Sequence, residues 1–155
     1  MEVRVFWIGK TRLPGMTALT EEYSRRLGHF CEFRAQEIRS GSRKSGGAAK
    51  GTLGGEESAM LARAAGSHLV VLDPSGRLWN SQEFAGFLKD LREGAKRAVS
   101  FCVGGAEGFS PGFQQEADLL LSLSPLTLPH ELARIVLLEQ IYRAWTLLAH
   151  HPYPR

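Results

Sequence analysis

LSLSPLTLPHE (121–131) decides how the end of this chain is built. Its leucines and polar residues alternate as in a half-buried strand, yet Pro125 and Pro129 both lack the backbone donor that an interior strand needs. A strand must therefore stop before Pro125 and give way to a rigid, polar-speckled loop. LARIVLLEQIYRAWTLLAH (132–150) follows directly and is the most apolar helix candidate in the sequence, so the loop is held between two anchored elements.

Upstream of this loop the chain alternates strand and helix. DLLLSLS (118–124) reads as the last strand, and SPGFQQEA (110–117) as a short helix with Ser110 at the N-cap and Pro111 in the first helical position. RAVSFCVGG (97–105) and HLVVLD (68–73) read as buried strands, separated by NSQEFAGFLKDLREGA (80–95), a helix capped by Asn80 or Ser81. LGGEESAMLARAAG (53–66) is helical despite its glycines, and RSGSRKSGGAAKG (39–51) is a loop. CEFRAQEI (31–38) alternates as a strand, TALTEEYSRRLGHF (17–30) is a helix with Thr17 or Thr20 as caps, and EVRVFWI (2–8) is the first strand. This order predicts an α/β fold in one domain over 1–155, with a mostly parallel sheet flanked by helices.

A chain of 155 residues, 43% hydrophobic and 23% charged, has the size and composition of one soluble globular domain. MEVRVFWIGK (1–10) is too short and too charged for a signal peptide or a membrane span, so a cytoplasmic protein is expected. Cys31 and Cys102 lie far apart among apolar neighbours, as buried free thiols do in a reducing compartment. The net charge of +3 is unevenly spread: Arg25, Arg26, Arg34, Arg39, Arg43, Lys44 and Lys50 crowd one region, whereas no Lys or Arg lies between Arg97 and Arg134. That crowding fits either a solvated face or a surface for phosphate backbone.

In parallel sheets ligands bind beyond the carboxyl ends of the strands. LDPSG (72–76), VGGAEG (103–108) and the stretch after the first strand occupy that position. GGAEG suits either close approach to a ligand or a turn from strand to helix. It is neither GxGxxG nor a P-loop, and GGAAKGT (46–52) carries Lys50 before its last glycine, which argues against nucleotide hydrolysis. No metal is expected, because His29, His68 and His130 are scattered and the adjacent His150 and His151 lack ligand spacing. A Gly-x-Ser-x-Gly elbow is also missing.

VGGAEGFS (103–110), LSLSPLTLPHELARIVLLEQIYRAW (121–145) and HPY (151–153) together resemble the RlmH family, bacterial 23S rRNA pseudouridine methyltransferases of the SPOUT class. VRVFWIGK (3–10), EEYSRRL (21–27) and LVVLDPSGR (69–77) extend the likeness more loosely, in register, over nearly the whole chain. The resemblance implies a C-terminal trefoil knot and S-adenosylmethionine as cofactor, with Leu72, Gly104, Leu123, Ser124, Pro125, Leu126, Thr127 and Leu128 as its contacts. It implies as substrate the N3 position of a pseudouridine in helix 69 of 23S rRNA, on the assembled ribosome. Methylating that imide nitrogen requires losing its proton, and His130, Arg143, Tyr153 and Arg155 are the candidate catalytic residues, with Arg134 and Glu139 nearby on the last helix. Glu139 and Arg143, four apart, are equally suited to a structural ion pair, and His130 to capping or packing. Pro154 stands where the family places a histidine after the tyrosine.

The last helix is apolar nearly all round, from Ile135, Val136 and Leu138 to Ile141, Tyr142, Trp145 and Leu148. Burial on two sides is expected, by the sheet and by the mate in a homodimer whose tail serves its partner's site. The loop 39–51 is the expected rRNA contact.

Overall fold

A computed structural model describes residues 1–39 and 53–153. Five strands and five helices alternate: β1 (Glu2–Ile8), α1 (Pro14–Leu27), β2 (Glu32–Ile38), α2 (Gly55–Ala64), β3 (His68–Leu78), α3 (Ser81–Glu93), β4 (Ala98–Val103), α4 (Pro111–Gln115), β5 (Leu119–Ser122) and α5 (His130–Leu148). The strands form one sheet in the order β2-β1-β4-β3-β5, parallel at every pairing. β4 is buried along its whole length, as a strand covered on both faces must be.

Two apolar clusters flank the sheet. One joins Val3, Val5, Val70 and Phe101 to Leu27 of α1, Leu88 of α3 and Leu138 and Ile141 of α5; the other joins Phe6, Val71 and Cys102 to Met60 of α2 and Phe113 of α4. The helices after β3 and β4 thus leave the sheet toward opposite faces. A crevice opens where they part, at the carboxyl ends of two neighbouring strands.

β3 and β5 pair irregularly. Leu121 is the partner of Leu72 and again of Arg77, so residues 73–76 leave the ladder and rejoin it around β5. Gly76 permits this: a Cβ there would lie 2.6 Å from the backbone of Leu120 and Leu121. β5 ends at Ser122, ahead of Pro125, as the missing donor requires.

One sequence expectation is corrected. α1 begins at Pro14 with Leu13 as N-cap, not at Thr17 or Thr20, because the fixed φ of Pro14 starts the helix earlier; Thr20 instead donates to the Met16 carbonyl inside it. Arg25 and Arg26 share the single carboxylate of Glu22, and Arg34 pairs with Glu2 and Glu32, so these cations are partly offset. Arg43, Lys44 and most of the loop 39–51 lie outside the described residues, as do Pro154 and Arg155. Cys31 and Cys102 are free thiols, and burial pushes both up to about 12.

Candidate active site

The crevice beyond β3, β4 and β5 holds a cavity of about 260 Å³. Leu72 ends the regular part of β3, Gly104 and Gly105 follow β4, and the loop from Leu123 to Leu128 follows β5. All eight residues expected to touch a cofactor line this one cavity, together with His130 and Ala133 from the first turn of α5. Leucines supply its apolar walls. Glycines supply exposed backbone.

Local hydrogen bonds fix these walls. Ser124 Oγ accepts from the Leu126 amide at 2.9 Å, and the Ser124 carbonyl accepts from Ser122 Oγ at 3.1 Å, so the Pro125 turn is braced from both sides. Asp73 accepts from the Ser75 amide at 2.8 Å and from Gln114 Nε2 at 2.8 Å, tying the β3 crossing to α4. Gly104 has little room for a side chain, because a Cβ would lie 3.1 Å from Gly108 Cα. Leu126 is 76% exposed at the rim, a large apolar side chain left uncovered.

The remaining candidates lie elsewhere. α5 stops in a Schellman turn: His150 adopts φ +52°, its amide bonds the Leu147 carbonyl, and the His151 amide bonds the Thr146 carbonyl at 2.9 Å. This turn folds the tail back, so that the Tyr153 ring meets Tyr142 edge-on at 5.0 Å. Arg143 lies 4.6 Å over the Tyr153 ring while its guanidinium pairs with Glu139 at 2.8 Å. Burial first, then the hydrogen bond with Tyr23, pushes the Tyr153 phenol up to about 12, so it stays protonated at neutral pH and can donate a hydrogen bond but does not serve as a base. With a rise of about 1.5 Å per residue, Arg143 stands roughly 20 Å along α5 from His130. One subunit therefore does not bring the four expected catalytic residues together, and Arg155 lies outside the described residues.

Sequence reasoning missed the role of Glu131 and underrated Arg134. Glu131 accepts from the amides of Arg12 and Leu13 at 2.8 and 3.3 Å. Arg134 is 1% exposed, donates to Thr11 Oγ1 and lies 4.3 Å from the Trp7 ring centre. Burial lowers Arg134 to about 10, against the pull of Glu131 and Glu37, and it stays cationic at neutral pH. Partners more than a hundred residues apart leave no local signature.

Comparison with known proteins now joins this geometry. The family described as "Predicted SPOUT methyltransferase" matches residues 1–154. The chain belongs to the SPOUT methyltransferase family. Among its relatives are proteins named ribosomal RNA large subunit methyltransferase H, from Thermus thermophilus at 42% identity (100% of this chain, 99% of the relative) and from Methylococcus capsulatus at 39% (100% of both). This likeness places the chain within the RlmH branch of the SPOUT methyltransferases and makes it a methyltransferase. The crystal structure of tRNA (m1G37) methyltransferase from Aquifex aeolicus shares the fold at a TM-score of 0.62 and 15% identity, covering 100% of this chain and 75% of that one. The SPOUT fold thus accounts for the five-stranded parallel sheet with helices on both faces.

Proposed function

We propose that this chain uses S-adenosylmethionine to methylate N3 of a pseudouridine in helix 69 of 23S rRNA, on the assembled ribosome. The carrying observation is the convergence of Leu72, Gly104 and 123–128 with His130 around one cavity at the switch point of the sheet. The cavity fits the cofactor's chemistry: leucines flank a flat base, and the backbone of 104–106 and 123–128 can read its edge. Asp73 adds a carboxylate to the lining, where it favours the cofactor's cationic centres.

The bound cofactor would supply an electrophilic methyl group. The chain's task is to align the acceptor nitrogen, exclude water and favour loss of the imide proton. His130, in the cavity wall, is placed to take that proton, directly or through water. Arg143 is the cation suited to the developing imide anion, with Tyr153 holding its guanidinium and Arg155 adding a second charge.

His130 and Arg143 sit about 20 Å apart along α5 in one subunit, so the reading includes a homodimer in which one tail completes the mate's cavity. α5 packs against the sheet, α1 and α3 but leaves Leu132 and Leu147 exposed at 37% and 45%, and with Leu13 and Leu126, at 55% and 76%, these are the apolar side chains a mate would cover. The trefoil knot belongs to the same proposal, supported by the return of β3 around Leu121. Among the described residues no helix is long and apolar enough to cross a membrane, and a cytoplasmic location follows from the ribosomal substrate.

The test is methyl transfer from labelled S-adenosylmethionine to ribosomes lacking the modification, followed by mass spectrometry of the labelled nucleotide. Label on a helix 69 pseudouridine is expected. Label only in tRNA, or in another 23S nucleotide, would sink the assignment of the target.

A further inference from the structure

We infer that the loop after β1 is a phosphate clamp, with Lys10 and Arg12 gripping the RNA strand beside the target nucleotide and Glu131 and Arg134 holding the clamp in place. The inference rests on the rRNA methyltransferase reading above.

Topology puts this loop at the site. β1 pairs with β4 up to Trp7 and Val103, so both strands end at the same edge. The Ile8 side chain lies 3.9 Å from where a Cβ on Gly105 would stand, and Gly105 is a wall of the cavity. Gly9, at φ +81°, turns the chain there, and its amide bonds the Ile38 carbonyl.

The loop's backbone is fixed by groups that have little else to do. Glu131, beside the cavity residue His130, accepts two amides from the loop, and these bonds, that from Arg12 foremost, hold its carboxyl below the usual range. Arg134 fastens Thr11 from beneath, and its Nε finds no partner among the described residues. Burying a guanidinium under a surface loop is costly unless the loop's position or charge repays it. Here Glu131 and Glu37 offset the charge of buried Arg134, which leaves Lys10 and Arg12 as the loop's outward cations.

Lys10 and Arg12 are exposed, and among the described residues neither side chain forms an ion pair or hydrogen bond. Arg25, Arg26, Arg34 and Arg143, by contrast, already have carboxylate partners. Lys10 also borders a hollow of about 360 Å³ shared with Thr17, Glu21 and Glu37. The two carboxylates there disfavour an anion inside the hollow, which directs the phosphate to the outer face of the loop, beside Arg12.

The experiment measures ribosome methylation by the full chain and by the double variant Lys10→Gln/Arg12→Gln over a range of salt, with cofactor affinity followed separately by calorimetry. The clamp predicts an unchanged cofactor Kd, a ribosome KM raised roughly tenfold, and a log–log salt slope flatter by about 1.5 for two lost phosphate contacts. Glu131→Gln should flatten the slope in part although both cations remain, which a merely structural carboxylate would not do. An unchanged KM and slope in the double variant, with active wild type, overturns the clamp alone. Wild type that binds the cofactor but leaves ribosomes unmodified overturns the rRNA reading and the clamp with it.

Discussion

At its amino end α5 sets His130 in an open cavity and sinks Glu131 and Arg134 under the neighbouring loop; at its carboxyl end Arg143 and Tyr153 lie in a closed cluster of rings and paired charges. The first region is defined by what it leaves open: an uncovered Leu126, two unpaired cations and bare glycine backbone. The second is nearly complete in itself, with Tyr23, Tyr142, Tyr153 and Phe30 packed edge to face and Arg26 5.7 Å over Tyr142. Open surfaces serve binding and closed clusters serve rigidity. The comparison separates the two halves of the proposed site: in the proposed dimer, the tail of one subunit would complete the open cavity of its mate.

The largest expected effect strikes the cavity. Gly76→Ala would press a methyl group into the β5 backbone, and the crossing has no side chain that can give way. We expect a loss of about 3 kcal/mol or more in urea unfolding, together with loss of the cofactor's thermal shift. An unaltered midpoint would contradict the close crossing of β3 and β5.

Next come substitutions that separate the two ends. Arg143→Gln should lower methyl transfer about a hundredfold while cofactor affinity stays as in wild type. Thr127→Arg, in the cavity loop, should abolish the cofactor's thermal shift. If Arg143→Gln weakened cofactor binding as much as Thr127→Arg, the division between the ends would fail.

A smaller effect appears in acid. The carboxyl of Glu131 lies below its ordinary value of 4.5 in the folded state, so its contribution is complete above about pH 4.5 and disappears as pH falls through the folded value. Glu131→Gln should therefore be less stable than wild type at pH 7, and the gap should narrow as pH falls below 4.5. A gap independent of pH would show that the charge is not what holds the loop.

The smallest effect is at the turn that stores the tail. His150 adopts a left-handed backbone, so His150→Gly should stabilise the fold by about 1 kcal/mol and leave the cluster intact. A destabilised variant would mean that the imidazole itself is part of the packing.

Much of this was legible in the residues. Alternation marks β2, unbroken apolar runs mark β3 and β4, the Ser110–Pro111 cap marks α4, Pro125 marks where β5 must end, and the motifs in 103–110 and 121–145 mark the cavity. Other features lack a local signal. The start of α1 depends on Pro14, which outweighed the threonines, and the extension of β3 through Leu78 depends on pairing with a strand some forty residues later. The pairing of Arg25 and Arg26 with one carboxylate, Glu22, three and four residues away, follows from helical spacing. The folding back of the tail rests on a histidine in a glycine-like conformation, which leaves no mark in sequence.

The most direct test of the division is a mixed dimer. One chain carries Ala106→Trp, which fills the cavity mouth, and the other ends at residue 150, which removes the tail. Each variant is expected to be inactive by itself. If the tail works in its partner's cavity, co-purified heterodimers regain a substantial part of wild-type methyl transfer, because one complete site is rebuilt. Heterodimers that form and stay inactive would contradict the account, since a tail serving its own subunit leaves no complete site in the mixture.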